Sequence, residues 1–258
     1  MNNELRTMNN ELKKTGFSLT EVLLAVATLA IGMLFIAGTF LAGIYLTAVA
    51  SEQTTAAVVA DEAFAKIKLY GIDPADPTLL AGPLRRFENV AARRPVPDEE
   101  FAYPSTQGDI SEKQYYWSAL CQRVGLNAAG QPPERLVQVT VFVSRKTASA
   151  ASYQGGAGRP IPMSVRISAT PGSNVLTGSP GATQTWINDG CTIVDDETGQ
   201  IYRVLQRCNP VSGAFPAPTI ELDRPWEGSH GVAVWVVPPP IGSGKDPCIA
   251  VYQRIMRF

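Results

Sequence analysis

Histidine is nearly absent: His230 is the only one in 258 residues. It stands in Gly228-Ser229-His230-Gly231, ahead of a strand-like segment. A serine next door in sequence is not a nucleophile, because catalytic groups are recognised by mutual geometry, so His230 reads as a turn residue. Cysteine is scarce too, with four residues and no Cys-x-x-Cys pair, which removes the usual zinc and dithiol redox patterns. Neither sign of charge prevails. With 22 basic and 23 acidic side chains there is no electrostatic footprint for a nucleic acid. A phosphate loop is also missing: before Gly244-Lys245, Pro239 stands where the first glycine belongs, and Asp246 stands where Ser or Thr belongs. These absences lead us to expect no catalytic residue, no metal, no cofactor and no enzymatic activity.

Two further absences concern the first part of the chain. No charged residue lies between Glu21 and Glu52, and no proline precedes Pro74. The apolar run from Phe17 to Ala50 far exceeds the roughly 20 residues that carry a helix across a bilayer core. Lys13 and Lys14 precede it, and basic flanks stay on the cytoplasmic side. A removable secretory signal has an apolar core of only about 7–15 residues followed by a small-residue cleavage site, so a membrane-embedded anchor surrounded by lipid is expected instead. Glu21 breaks the pattern. An acidic side chain in a span costs about 2.5–3.5 kcal/mol and is kept for a specific partner, so a cationic mate is expected for it.

The order Lys13-Lys14-Thr15-Gly16-Phe17-Ser18-Leu19-Thr20-Glu21 resembles the class III signal of type IV prepilins and of the pseudopilins of type II secretion. The resemblance implies that a membrane prepilin peptidase cuts after Gly16 and that the new N-terminal residue, Phe17, is N-methylated by the same peptidase/methyltransferase. Glu21 then falls at the family's acidic fifth position. Cutting would leave an α-amine on Phe17 that is cationic or nearly so at neutral pH, and the carboxylate of a neighbouring subunit's Glu21 would offset its burial. The helix-kinking proline common in major pilins would fall near Gly38, where this chain has none. Gly32, Gly38 and Gly43 read either as points of loosening and close helix approach or as ordinary small residues. The resemblance further implies other pilins or pseudopilins and an inner-membrane assembly platform as partners. It implies a single pass through the bacterial inner membrane, with the head in the periplasm or on a fibre. A head larger than a minimal pilin's points to a low-copy minor subunit. The anchor is shared by type IV pili, type II secretion and DNA-uptake fibres, and the competing class is a membrane-anchored extracytoplasmic binding protein or enzyme.

The expected fold class is α+β: a long N-terminal transmembrane helix, the pilin spine, then a predominantly antiparallel β head. Residues 1–16 form the leader, in which Met1–Thr7 is nearly repeated by Met8–Lys14, so either methionine serves as the start. Residues 17–71 form the transmembrane and spine helix, 72–108 an irregular connection and 109–258 the head. After Ser51, Ala56, Ala60, Ala63, Phe64, Ile67 and Tyr70 recur at helical spacing, and Gly71 is placed to cap the helix. A helix from Phe17 to Tyr70 would be about 80 Å long, so its outer part must pack on the head. Strands are expected over 114–121, 135–144, 192–195, 201–207, 219–222, 232–237 and 249–256, with 162–169 as a third partner for the first two. Asp195 to Gln200 reads as a hairpin turn whose acidic trio lacks a full calcium pattern. Residues 148–160 and 170–183 read as exposed loops, and Trp226 and Trp235 as core or rim aromatics. The four cysteines permit three disulfide pairings. Cys191 and Cys208, placed nearly symmetrically about the hairpin turn, are taken as one candidate pair, leaving Cys121 with Cys248.

Overall fold

The computed structural model describes residues 17–73, 76, 79, 83–91, 95–105, 113–124, 135–147, 151–155, 158–178, 185–208, 218–229, 233–242 and 246–258. With no proline to interrupt it, the first segment forms one helix, α1, Leu19–Tyr70, of 52 residues. It ends where the sequence places a stop. Gly71 adopts φ +75°, and its N–H donates to Ile67 O at 2.9 Å. The chain divides into two compact units at Ser51, so the helix belongs to both.

In the unit Glu52–Phe258, one face of α1 is buried through Ala56, Val59, Ala60, Ala63, Phe64 and Ile67, the period that an amphipathic helix requires. That face lies on a five-stranded antiparallel sheet. Its strands are β1 (Arg85–Arg86), β2 (Ala102–Tyr103), β3 (Tyr115–Arg123), β4 (Leu136–Arg145) and β11 (Cys248–Arg257). The order is β1-β3-β4-β11, with β2 also pairing with β3. Alternation in β4 sends Val137, Val139, Val141 and Val143 to the helix side, where all four are fully buried with the helix residues. A one-turn helix, α2 (Phe87–Val90), and a 3₁₀ turn at Asp98–Phe101 supply Phe87 and Phe101 to the same core, both packed on Trp117. Charges edge the contact: Glu52 pairs with Arg145, Asp61 with Arg254 at 2.7 Å, and Lys66 with Glu62 and Glu100 at 2.9 and 3.0 Å.

The other strands, β5 (Met163–Ser168), β6 (Val175–Gly178), β7 (Thr192–Asp195), β8 (Ile201–Cys208), β9 (Thr219–Leu222) and β10 (Ala233–Val236), close into an antiparallel barrel in the order β10-β5-β6-β9-β8-β7. Its interior holds Val165, Ile167, Leu176, Ile193, Val204 and Trp226, the last stacked on Tyr202 at 4.8 Å. A third cluster, Leu84, Leu120, Phe142, Val194 and Val237, joins barrel to sheet, with Trp235, Cys248 and Val251 packed against it. The α+β class and the antiparallel head are therefore as expected, and the head holds two β bodies.

Four expectations are corrected. The strand at 162–169 exists, but it joins β10 and β6 in the barrel, and the third long strand beside β4 is β11. Residues 170–183 contain β6, because closing the barrel needs Leu176 inside. The stretch 148–160 is not simply exposed: Tyr153 is buried with its hydroxyl accepting from Thr147 N, and Arg159 is only 2% exposed. The cysteine pairs do not meet, and all four residues are free thiols. Cys191 O accepts from Val204 N, and Cys208 lies four residues further along β8, about 13 Å away and beyond disulfide reach. Cys121 lies across from Val139 on one side of β4, while Cys248 lies across from Ser144 on the other.

Candidate functional site at the start of the apolar helix

Ser18-Leu19-Thr20-Glu21 is a capping box, an S-x-x-E pattern immediately before an apolar run. Ser18 N–H donates to Glu21 Oε2 at 2.9 Å, and Ser18 Oγ accepts from Thr20 N–H at 3.2 Å. The first helical bond follows, Val22 N–H to Ser18 O at 3.1 Å. Glu21 thereby satisfies an otherwise orphaned amide and sits where the helix dipole favours negative charge. Reading the same four residues only as part of a processing motif missed this role, although the spacing carries it. Phe17 precedes the helix and is 86% exposed. Gly16, Lys13 and Lys14 lie outside the described residues.

Among the described residues, Glu21 Oε1 has no partner, and the sequence holds no lysine or arginine from Thr15 to Ala65. The carboxylate lies in a shallow groove otherwise lined by apolar side chains: Phe17, Val22, Ala25, Val26 and Leu29. Beyond it, Leu24, Leu34, Phe35, Ile36, Phe40 and Tyr45 are all about two-thirds exposed or more. The segment reaches a mean hydropathy of 2.3, making α1 long and apolar enough to cross a membrane. Three of its threonine hydroxyls are satisfied inside the helix. Thr28 donates to Ala25 O, Thr39 to Ile36 O and Thr47 to Gly43 O, all within 2.9 Å.

In the turn between β7 and β8 the acidic side chains are turned toward protein partners. Asp195 accepts from Glu197 N, Thr198 N and Thr198 Oγ1, and Asp196 accepts from Trp235 Nε1 at 2.5 Å. Glu197 accepts from Ser229 N at 3.2 Å. The acidic trio is thus a hydrogen-bonded hairpin turn, and no metal cage is gathered among the described residues. His230 and residues 243–245 lie outside the described residues. Burial pushes the Cys121 thiol up, and it pushes the Cys191 thiol up to about 12 and the Asp246 carboxyl up to about 6. Thiols held protonated in this way are poor nucleophiles.

No family model, no curated protein and no solved structure matches this chain.

Proposed function

We propose that the chain is a prepilin-like structural subunit, a low-copy minor pilin or minor pseudopilin that does no chemistry of its own. Its leader is removed after Gly16 by a prepilin peptidase/methyltransferase, and Phe17 becomes the N-methylated N-terminus. The Leu19–Ser51 part of α1 holds it in the bacterial inner membrane as a single pass, with the β-rich unit on the periplasmic side. It then enters a pilus or pseudopilus fibre through an assembly platform and other pilins.

The observation that carries this reading is the single carboxylate of Glu21. It has an oxygen without a partner among the described residues, at the start of a helix that is otherwise uncharged and apolar all round to Ser51. A helix with this surface needs lipid or other helices around it, and a carboxylate placed there needs a cation. The α-amine freed on Phe17 by cleavage, carried by a neighbouring subunit, meets that need.

The test is intact-mass and N-terminal analysis of the full chain extracted from membranes of cells with and without the peptidase. The expected product begins at methylated Phe17 only when the peptidase is present. A leader left intact in the presence of active peptidase overturns the proposal.

A further inference from the structure

The helix-backed sheet ends in an open edge. β11 is its last strand, paired with β4 on one side and with no strand on the other. In an antiparallel pair alternate residues direct both backbone polar groups at the partner, so the register decides which residues of β11 face outward. Phe258 N–H donates to Arg135 O at 3.0 Å, and the pairing runs without a shift from Arg257 opposite Leu136 to Ala250 opposite Val143. Phe258, Met256, Arg254 and Tyr252 therefore bond to β4. The far side of β4 has the matching phase: Val124 N–H donates to Leu136 O at 3.2 Å, so the even-numbered residues of β4 serve β3 and the odd-numbered ones serve β11. The N–H and C=O groups of Gln253, Ile255 and Arg257 thus point out of the sheet. All three residues are exposed, and on that side their backbones have no partner among the described residues. An edge of this kind is usually guarded by a charge or a proline. Here Ile255 stands at its centre, 61% exposed, while Arg254 is drawn aside to Asp61 at 2.7 Å and over the Phe64 ring at 4.5 Å. From Ala250 to Phe258 there are two arginines and no acidic residue.

We propose that the edge Gln253–Arg257 is a docking site for an extended acidic segment of a partner protein, added as a further antiparallel strand beside β11. Gln253, Ile255 and Arg257 each exchange both backbone hydrogen bonds with the incoming strand. Opposite Arg257, Ile255 and Arg254 that strand carries an acidic, an apolar and an acidic residue, the first, third and fourth of its run, which matches charge to charge and covers Ile255. A second copy of the chain does not fit. Glu52 pairs with Arg145, whose N–H donates to Pro247 O, and Asp61 pairs with Arg254, so the helix and β11 run in the same sense. Two-fold pairing of β11 with itself would set the two helices antiparallel, with the chains entering their β-rich units from opposite ends, whereas both must enter from one membrane. That choice of occupant rests on the membrane part of the proposed function, and strand addition itself is independent of cleavage after Gly16.

The full chain in detergent micelles is titrated into a dye-labelled peptide containing glutamate, threonine, valine, glutamate and threonine in that order, and fluorescence anisotropy reads the binding. Saturable binding is expected. Ile255→Pro leaves the bonds to β4 in place, because the Ile255 N–H faces outward, and should weaken binding about tenfold or more. Arg257→Glu should weaken it about fivefold or more and transfer the preference to a peptide with lysine in place of the first glutamate, a gain that a folding defect cannot give. No saturable binding up to about 1 mM peptide, affinities unchanged in both variants, or self-association of the full chain that Ile255→Pro abolishes overturns the proposal.

Discussion

Glu21 performs one task within its own helix, and the proposed function asks a second of it, so replacing it in two ways separates them. Glu21→Gln keeps an oxygen to accept from Ser18 N–H, since glutamine completes a capping box as glutamate does. Glu21→Ala removes both the acceptor and the charge. Losing the cap costs about 1 kcal/mol of local helix stability. Losing one member of a desolvated ion pair costs about 3–5 kcal/mol, a factor of roughly a hundred or more in subunit association. If charge pairing drives assembly, both variants should be cut after Gly16 yet leave the sheared fibre fraction, and Glu21→Gln should fail almost as completely as Glu21→Ala. Quantitative immunoblotting of fibre and membrane fractions, with intact-mass analysis of the N-terminus, reads both steps. Normal incorporation of Glu21→Gln beside failure of Glu21→Ala would refute the charge argument and leave the residue as a helix cap.

Two further outcomes concern the β-rich unit. Burial holds the Asp246 carboxyl up to about 6, so between pH 4 and 6 the folded state keeps a proton that the unfolded state has lost. Stability therefore falls as pH rises through that window, by about 3 kcal/mol at most, and Asp246→Asn should be the more stable form at pH 7.5 with no advantage at pH 4; equal melting curves at pH 7.5 would contradict this. Arg159 is buried against Glu88, donates to Ser118 Oγ at 2.8 Å and lies 4.0 Å over the Phe101 ring. Arg159→Met should cost about 3 kcal/mol and lower the melting temperature by about 6–12 °C, and a change under about 2 °C would show that the network contributes little.

Local signals were legible, and long-range partners were not. The helix could be read from an apolar run to Ala50 followed by apolar residues at helical spacing up to Gly71, and β4 from alternating valines, because each needs only its own segment. Which strand lies beside which depends on residues far apart: the alternation of Met163–Ser168 identifies a strand and says nothing of whether β4 or β10 pairs with it. Val175–Gly178 is hidden in a glycine-rich stretch, since a single buried Leu176 carries its inward face. Arg159 looked like a loop charge because its partners, Ser118 and Glu88, come from distant segments. The cysteine pairing failed on register. The hairpin places Val194 opposite Ile201 and so puts Val204, not Cys208, across from Cys191. At the helix start the opposite held, since the S-x-x-E spacing announced the capping box and only the resemblance to a processing signal drew attention away from it.

The division at Ser51 also says where a water-soluble form of the β-rich unit must begin. From Glu52 onward α1 supplies Val59, Phe64 and Ile67, along with Ala56, Ala60 and Ala63, to the core beneath the sheet. Burying each of the three larger side chains contributes about 1.5–3 kcal/mol, so together they provide about 5–9 kcal/mol, comparable to the whole stability of an ordinary domain. A chain starting at Ile72 lacks them and leaves Val137, Val139, Val141 and Val143 facing water. It should aggregate or show no cooperative thermal transition by circular dichroism, whereas a chain starting at Glu52, free of the uncharged segment, should be monomeric and melt cooperatively. Equal melting temperatures for the two would mean that the buried face of the helix contributes little to the core, and that the sheet is held by the barrel instead.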